Sequence, residues 1–529
     1  MARAERTGEP YELAGRRLVF TTWRFVRPGR LGWYDDRGRA VTVTGDQGPW
    51  EAHFQSIDQP TGIRLRVQPA QRARLGLEPE HAWEAGGLRL VTWLQEGRTI
   101  RAWGTCGPQR SDEYLCYVES DDGVTWRRPR LDLYEHGGNR GNNLLGPADE
   151  FGNVFVDPAA PAGERFKWIV ASEITREQYD RYRARRPEAW DPAADRVDAP
   201  ASATHVGAGN LIMALRGAVS PDGLRWTVLP EPLVVQHTDT EVVGYYDSQL
   251  RKYVAFVRDW DVGARSRRPG LPDDRGLSWI GVGRRAIGRA ETEDFRAFPL
   301  SEIVLAPGPE MDPTDVLYTN CYTTVPGAPD HHLMFPAVWH TASDTTSIIL
   351  ASSADGKVWH YLPGDPVLET APFGEWDGGC VFASPNLVEL ANGSWALRYR
   401  GYNVPHKYPR RGPWRWEVGL AVWPHGRLVA LEAPQQGQFA TVALLPPGRR
   451  LRLNARTLRT GSVAVEVARL DGTPIPGRGF ADARPIVGDH AGAVATWSGT
   501  DDLGHEEGAP VMLRFRLRQA QLFGLEFPP

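Results

Sequence analysis

A seven-residue pattern recurs along the chain and constrains its fold more than any other feature. "SDDGVTW" at residues 120–126 returns as "SPDGLRW" at 220–226 and "SADGKVW" at 353–359, with a reduced copy, "TEDFRAF", at 292–298. In each full copy the Asp can bond the backbone that follows it, the Gly supplies a positive φ, and the Trp can fold back onto a sheet. Three full copies in one chain point to a hairpin unit used repeatedly. Their spacing is irregular, which disfavours a solenoid.

Pairs of apolar segments joined by turns alternate with these copies, at 152–173, 241–260, 315–340 and 380–402, with a degenerate pair at 88–106. A plain pair followed by a turn-bearing pair makes a four-stranded antiparallel blade, and five such blades predict a five-bladed β-propeller. The 56 Gly, 43 Pro and 20 Trp suit many short strands better than helices, so the fold class expected is all-β. In this topology the turn between the third and fourth strands lies on the face opposite the start of the first. Asp122, Asp222 and Asp355 are therefore expected to be architectural.

At 529 residues the chain exceeds one ordinary core. Residues 81–431 are assigned to the propeller. From 432 to 529 the pattern changes to clean alternation, as in "SVAVEVARLDGTPIPG" and "APVMLRFRLRQAQLFGLEF", which predicts a C-terminal β-sandwich. Residues 1–80 are strand-rich and are expected either to lend the ring a closing strand or to form an extra layer.

A net charge of -4 with 24% charged residues argues against a nucleic-acid partner recruited by bulk electrostatics. No run of 18 apolar residues and no apolar leader segment is present in the sequence, so no membrane partner is expected and the expected location is cytoplasmic. The four cysteines lack Cys-x-x-Cys spacing, and are read as reduced, buried thiols rather than disulfides or a zinc site.

The chemistry is expected on the face where first strands begin and second strands end. Carboxylates crowd the entries: Asp149 and Glu150, then Asp239 and Glu241 beside His237, then Asp312 and Asp315, then Glu375 and Asp377 around Trp376. The exits carry Glu173, Arg258 with Asp259, Trp339 with His340, and Tyr402. Convergent carboxylates suit glycosidic cleavage, which needs one protonated acid and one ionised nucleophile or base. Crowding raises one pKa while a nearby Arg keeps another group ionised. Long loops on this face add basic residues: Arg176, Arg181, Arg183, Arg185 and Arg186; Arg265, Arg267, Arg268 and Arg275; and His406, Lys407, Arg410 and Arg411. Aromatic candidates for stacking on a sugar include Trp376, Trp339, Tyr402, Tyr408 and Trp414. Each of these also has a structural reading as a strand cap, a solvated loop charge or blade packing.

These segments, with "RPRLDLYEHGGNRGNNLL", "DVLYTN", "EWDGGCVFASPNL", "GYNVPHKYPR" and the closing "GSVAVEVARLDGTPIPG" and "VMLRFRLRQAQLF", resemble the five-bladed propeller glycoside hydrolases of families 32, 43, 62 and 68. The nearest likeness is to family-32-like bacterial proteins, over about residues 110–529. The resemblance implies an Asp or Glu trio on blade entries. It transfers no individual catalytic residue, because the Trp-x-Asn-Asp-Pro-Asn-Gly, Arg-Asp-Pro and Glu-Cys motifs of family 32 are missing; the nearest match is Arg258-Asp259.

The resulting expectation is a glycoside hydrolase, exo-acting on a terminal furanosidic or acidic sugar. Asp239, Asp315, Glu375, Asp377 and Glu173 are the candidate catalytic groups. Arg258, His340, Trp376, Tyr402, His406, Lys407 and Glu241 are the candidate substrate-binding groups. No cofactor is expected, although hard oxygen ligands are at hand for a structural Ca²⁺ on the axis. The alternatives are a glycoside phosphorylase of the same fold and a non-catalytic carbohydrate-binding propeller. A sialidase would need an axial arginine cluster and a Tyr nucleophile, hinted at only by Arg258 and Tyr318.

Overall fold

The computed structural model describes residues 9–36, 39–42, 52–107, 113–148, 150–189, 211–261, 283–407 and 415–528. Asp149, Arg265, Arg267, Arg268, Arg275, Tyr408, Arg410, Arg411 and Trp414, singled out above, lie outside the described residues. The described chain is nearly all strand, with one α-helix, α1 (Arg176–Arg185), among the described residues. None of its helices is long and apolar enough to cross a membrane.

Five antiparallel units follow one another in sequence. Sheet I pairs Arg89–Glu96, Thr99–Cys106, Tyr114–Ser120 and Leu144–Pro147; sheet II pairs Asn153–Val156, Phe166–Thr175, Leu211–Ser220 and Thr227–Val228. Sheet III pairs Val243–Asp247, Lys252–Asp261, Arg284–Thr292 and Glu302–Leu305. Unit IV is split into an inner ladder (Asp315–Thr319, Ala337–His340, Thr345–Ile348, Leu368–Glu369) and an outer one (Tyr322–Val325, Ala328–Met334, Ala351–Ser353, Trp359–Tyr361). The split has a local cause. Pro336 has no N–H to give a ladder, and Cys321 sits at φ +46°, so both hairpin strands kink together.

Sheet V is completed from far away in sequence. Cys380–Ala383, Trp395–Tyr402 and Trp416–Trp423 are joined on the outer edge by Gln71–Arg74, antiparallel to Gly419–Val422. Residues 71–74 thus add an outer strand to sheet V. Neighbouring sheets pack against one another in order, and the third strand of sheet V lies against the first strand of sheet I.

The repeated turns fall at the ends of third strands. Asp122 Oδ1 accepts from the N–H groups of Val124 and Thr125 at 2.8 and 2.7 Å, and Ser120 Oγ accepts from Gly123 N–H at 2.8 Å. Asp222 repeats this with Leu224 and Arg225, and Asp355 with Lys357 and Val358. Gly123, Gly223 and Gly356 take φ of +78°, +78° and +68°, where a Cβ would be strained. Three donors held by two short side chains fix the turn, and Trp126 and Trp359 are then buried against it.

The C-terminal region forms one hydrogen-bonded sheet, ordered Asp489–Val494, Arg452–Ala468, Met512–Glu526, Val429–Ala440 and Arg64–Val67, with Arg17–Val19 also on Met512–Glu526. Its long strands shift register at Ala433/Gln436 and Thr457/Ser462, which lets them bend around their own apolar face. A continuous cluster of buried residues joins this sheet to units IV and V, from Leu13 and Phe20 through Leu333 and Trp423 to Phe515 and Phe527.

Candidate functional site

On the face where first strands begin, units III, IV and V enclose a cavity of about 570 Å³. The approach to sheet III supplies Asp239, Thr240 and Glu241; the first strand of unit IV supplies Tyr318; sheet V supplies Phe382, Arg400 and Tyr402, with His406 beyond it.

Asp239 and Glu241 are two residues apart but sit in opposed environments. Arg258 Nη1 donates to Asp239 Oδ1, and its Nη2 donates to His237 Nε2 at 2.7 Å. Burial alone would raise the Asp239 pKa, but the Arg258 and Arg285 guanidinium groups outweigh it and hold the carboxyl below its ordinary range. Glu241 moves the other way. Burial pushes its pKa up, and Arg400 and Arg398 only partly pull it back. The buried Cys321 thiol lies 3.7 Å from Glu241 Oε2 and donates to Ala383 O at 2.9 Å.

Arg400 lines the cavity, and three further guanidinium groups are buried nearby and act on Asp239 or Glu241. Burial pulls the Arg258 pKa down to about 10 and that of Arg398 to about 9, so both stay charged at neutral pH. Arg398 is fully buried and donates to the carbonyls of Leu90 and Val91 at 2.5 and 2.6 Å. Arg285, 4% exposed, lies 4.3 Å from the centre of the Tyr318 ring. None of Arg285, Arg398 and Arg400 is among the residues singled out from the sequence. Their signal was there: two arginines in "WALRYRGY" and three in "GRRAIGRA" interrupt otherwise apolar strands.

His406 stands edge-on to Tyr318 (4.5 Å), Phe382 (5.0 Å) and Trp339 (5.3 Å), and closes the aromatic side of the cavity. Lys407 Nζ lies 5.2 Å from Trp339, and its backbone N–H donates to Asp344 Oδ2 at 2.7 Å. Tyr402 is on the wall, between Phe382 and Trp416.

The remaining candidates are not in the cavity lining. Asp377, buried, accepts from Tyr399 OH at 2.9 Å and pairs with Arg72 at 3.2 Å. Trp376 stacks on Tyr399 at 5.6 Å, and Arg74 lies 5.7 Å from its ring, so it is packed within sheet V. Glu375 is exposed on the turn before that strand, and Glu173 is opposite Met213 near the end of its strand in sheet II. Glu150 pairs with Arg216 at 3.2 Å. Asp315 Oδ1 bonds His340 Nδ1 at 2.7 Å, and His340 Nε2 bonds Ser347 Oγ at 2.9 Å. That chain has the order of a nucleophile triad, but Ser347 is 5% exposed and in mid-strand, which makes the chain a brace for His340. Among the described residues no three His, Cys, Asp or Glu side chains converge to hold a metal ion.

No protein-family model matches the chain, and no curated protein matches it in sequence. Solved structures similar to it include a glycoside hydrolase (11% identity, 68% of this chain and 94% of that one, TM-score 0.39). A thermostable family-43 glycoside hydrolase matches at 13% identity over 67% and 96% of the two chains, with a TM-score of 0.36. An alpha-L-arabinofuranosidase from Podospora anserina matches at 13% identity over 70% and 99%, with a TM-score of 0.35.

Proposed function

We propose that the chain is a glycoside hydrolase whose five sheets are the blades of a propeller and whose cavity is the active site. The observation that carries this reading is the divergence of Asp239 and Glu241, two carboxyl groups in one cavity whose pKa values are driven in opposite directions. Glycosidic cleavage needs such a pair.

Glu241, whose pKa burial pushes up, is assigned as the general acid that delivers a proton to the departing glycosidic oxygen. Asp239, kept ionised by Arg258, is the nucleophile or the base that activates water. His237 and Arg258 hold Asp239 in place, while Tyr402, Phe382 and His406 form the wall on which a sugar ring packs. The carboxyl separation sets the stereochemistry, about 5 Å for retention and about 6.5–9.5 Å for inversion.

The test is a panel of aryl glycosides and oligosaccharides, neutral and acidic, assayed with and without inorganic phosphate. Wild type is compared with Glu241→Gln and Asp239→Asn. Each variant should lose on the order of 10²–10⁴ in turnover. Turnover indifferent to both substitutions would sink the assignment, and no turnover on any substrate would leave a carbohydrate-binding propeller. Strict phosphate dependence would make the enzyme a phosphorylase.

A further inference from the structure

Val404, Pro405 and His406 line the cavity but lie past the end of the strand Trp395–Tyr402, so other contacts must hold them there. One is within sheet V. Gly379 N–H donates to Tyr402 O at 2.8 Å, and Gly379 comes so close to the Val404 backbone that a Cβ would collide with it. The other reaches across from unit IV. The turn between Ala337–His340 and Thr345–Ile348 ends at Asp344, which accepts three hydrogen bonds. Its carbonyl O takes His406 N–H at 3.0 Å, its Oδ2 takes Lys407 N–H at 2.7 Å, and its Oδ1 takes the Trp339 indole N–H at 2.9 Å.

Asp344 is itself fixed. Its N–H donates to His340 O at 2.8 Å, and His340 is braced by Asp315 and Ser347. It takes a φ of +59°, which glycine would adopt with less strain. What aspartate adds at this position is the carboxylate, and its two oxygens make charge-assisted bonds in two directions. One goes to Trp339, a ring that His406 meets edge-on, and the other to the residue after His406. A single side chain thus ties the segment carrying His406 to the aromatic wall it packs on. Building on the hydrolase reading above, we infer that Asp344 is a positioning residue: it sets His406 in the cavity wall and so governs how tightly a sugar is held. The proton transfers belong to Asp239 and Glu241, so the rate of bond cleavage is left to them.

The test compares the full wild-type chain with Asp344→Gly, Asp344→Asn, His406→Ala and the double variant Asp344→Gly/His406→Ala. Glycine suits the positive φ, so Asp344→Gly removes the carboxylate and spares the turn. The first readout needs no turnover. In NMR spectra of protein carrying ¹³C-labelled histidine, the His406 signal is the one missing from His406→Ala, and ring currents from Tyr318, Phe382 and Trp339 displace it. Asp344→Gly should move that signal toward the position of an exposed histidine, and Asp344→Asn, which keeps one acceptor oxygen, should move it less. The second readout is kinetic, on whichever aryl glycoside the wild type cleaves. KM should rise about tenfold in Asp344→Gly with kcat held within about threefold, and in the His406→Ala background the same substitution should add nothing. A residue that only stabilised the turn would lower the thermal midpoint and leave both readouts in place. An unmoved His406 signal, an unchanged KM, or a full additional loss in the His406→Ala background would overturn the inference. If the wild type cleaves no substrate, the hydrolase reading fails by itself, and the His406 signal alone then decides the positioning.

Discussion

At the scale of single residues, two carboxyl groups set the pH behaviour expected of this protein. Asp239 must be ionised to act, and its folded-state pKa is depressed, so the acid limb of kcat/KM should fall below the ordinary aspartate value of about 3.9. Glu241 must be protonated, and its pKa is raised. Activity should therefore decline as pH rises through a value above the ordinary glutamate pKa of about 4.3. A pH–rate profile of wild type against Glu241→Gln checks this, because the variant should lose the alkaline limb along with most of its rate. Asp122 is the contrasting residue. The N–H groups of Thr125 and Val124 hold its pKa down to about 2, so the stability it contributes is complete above about pH 4 and is lost as pH falls toward 2. Asp122→Ala should lower the unfolding free energy by about 1–2 kcal/mol at neutral pH and leave turnover unchanged, as read by urea titration beside a standard assay.

At the scale of elements, how much could be read from sequence depended on whether a residue's role is local. The turn copies were legible because a Ser-x-Asp-Gly-x-x-Trp hairpin closes through its own backbone; Ser120, Asp122 and Gly123 need nothing distant to make their bonds. The strand pairs at 241–260 and 380–402 were legible for the same reason. The site was legible only in part. Asp239, Glu241, Tyr402 and His406 follow from being at strand ends on one face, and they line one cavity. Asp377 and Trp376 satisfy the same rule, yet Tyr399 and the distant Arg72 claim them for sheet V. Arg72 belongs to a strand that no local pattern assigns to that edge. Deleting residues 9–76 should therefore strip sheet V of its outer strand and the C-terminal sheet of Arg17–Val19 and Arg64–Val67. The expected result, by circular dichroism melting, is loss of cooperative unfolding.

Across the whole molecule, the buried cluster running from Leu13 to Phe527 makes the C-terminal sheet and units IV and V one core. Burial across this boundary involves fully covered side chains such as Trp423, Phe335 and Leu453, each contributing about 1.5–3 kcal/mol of transfer free energy. The C-terminal sheet should not melt by itself. Scanning calorimetry is expected to show it unfolding together with units IV and V, and an early, separate transition removed by cutting the chain near residue 428 would contradict this.

The strand at Gln71–Arg74 also imposes an order in time. Its partner, Gly419–Val422, leaves the ribosome about 350 residues later, which at 5–20 residues per second is roughly 20–70 s of translation. Throughout that interval the strand at Gln71–Arg74 lacks its partner. Its unpaired edge is a template for pairing with a neighbouring polypeptide. Yield in a cell should therefore depend on how well that wait is shielded. Slower synthesis would lengthen the exposure, and holding chaperones would protect the chain during it.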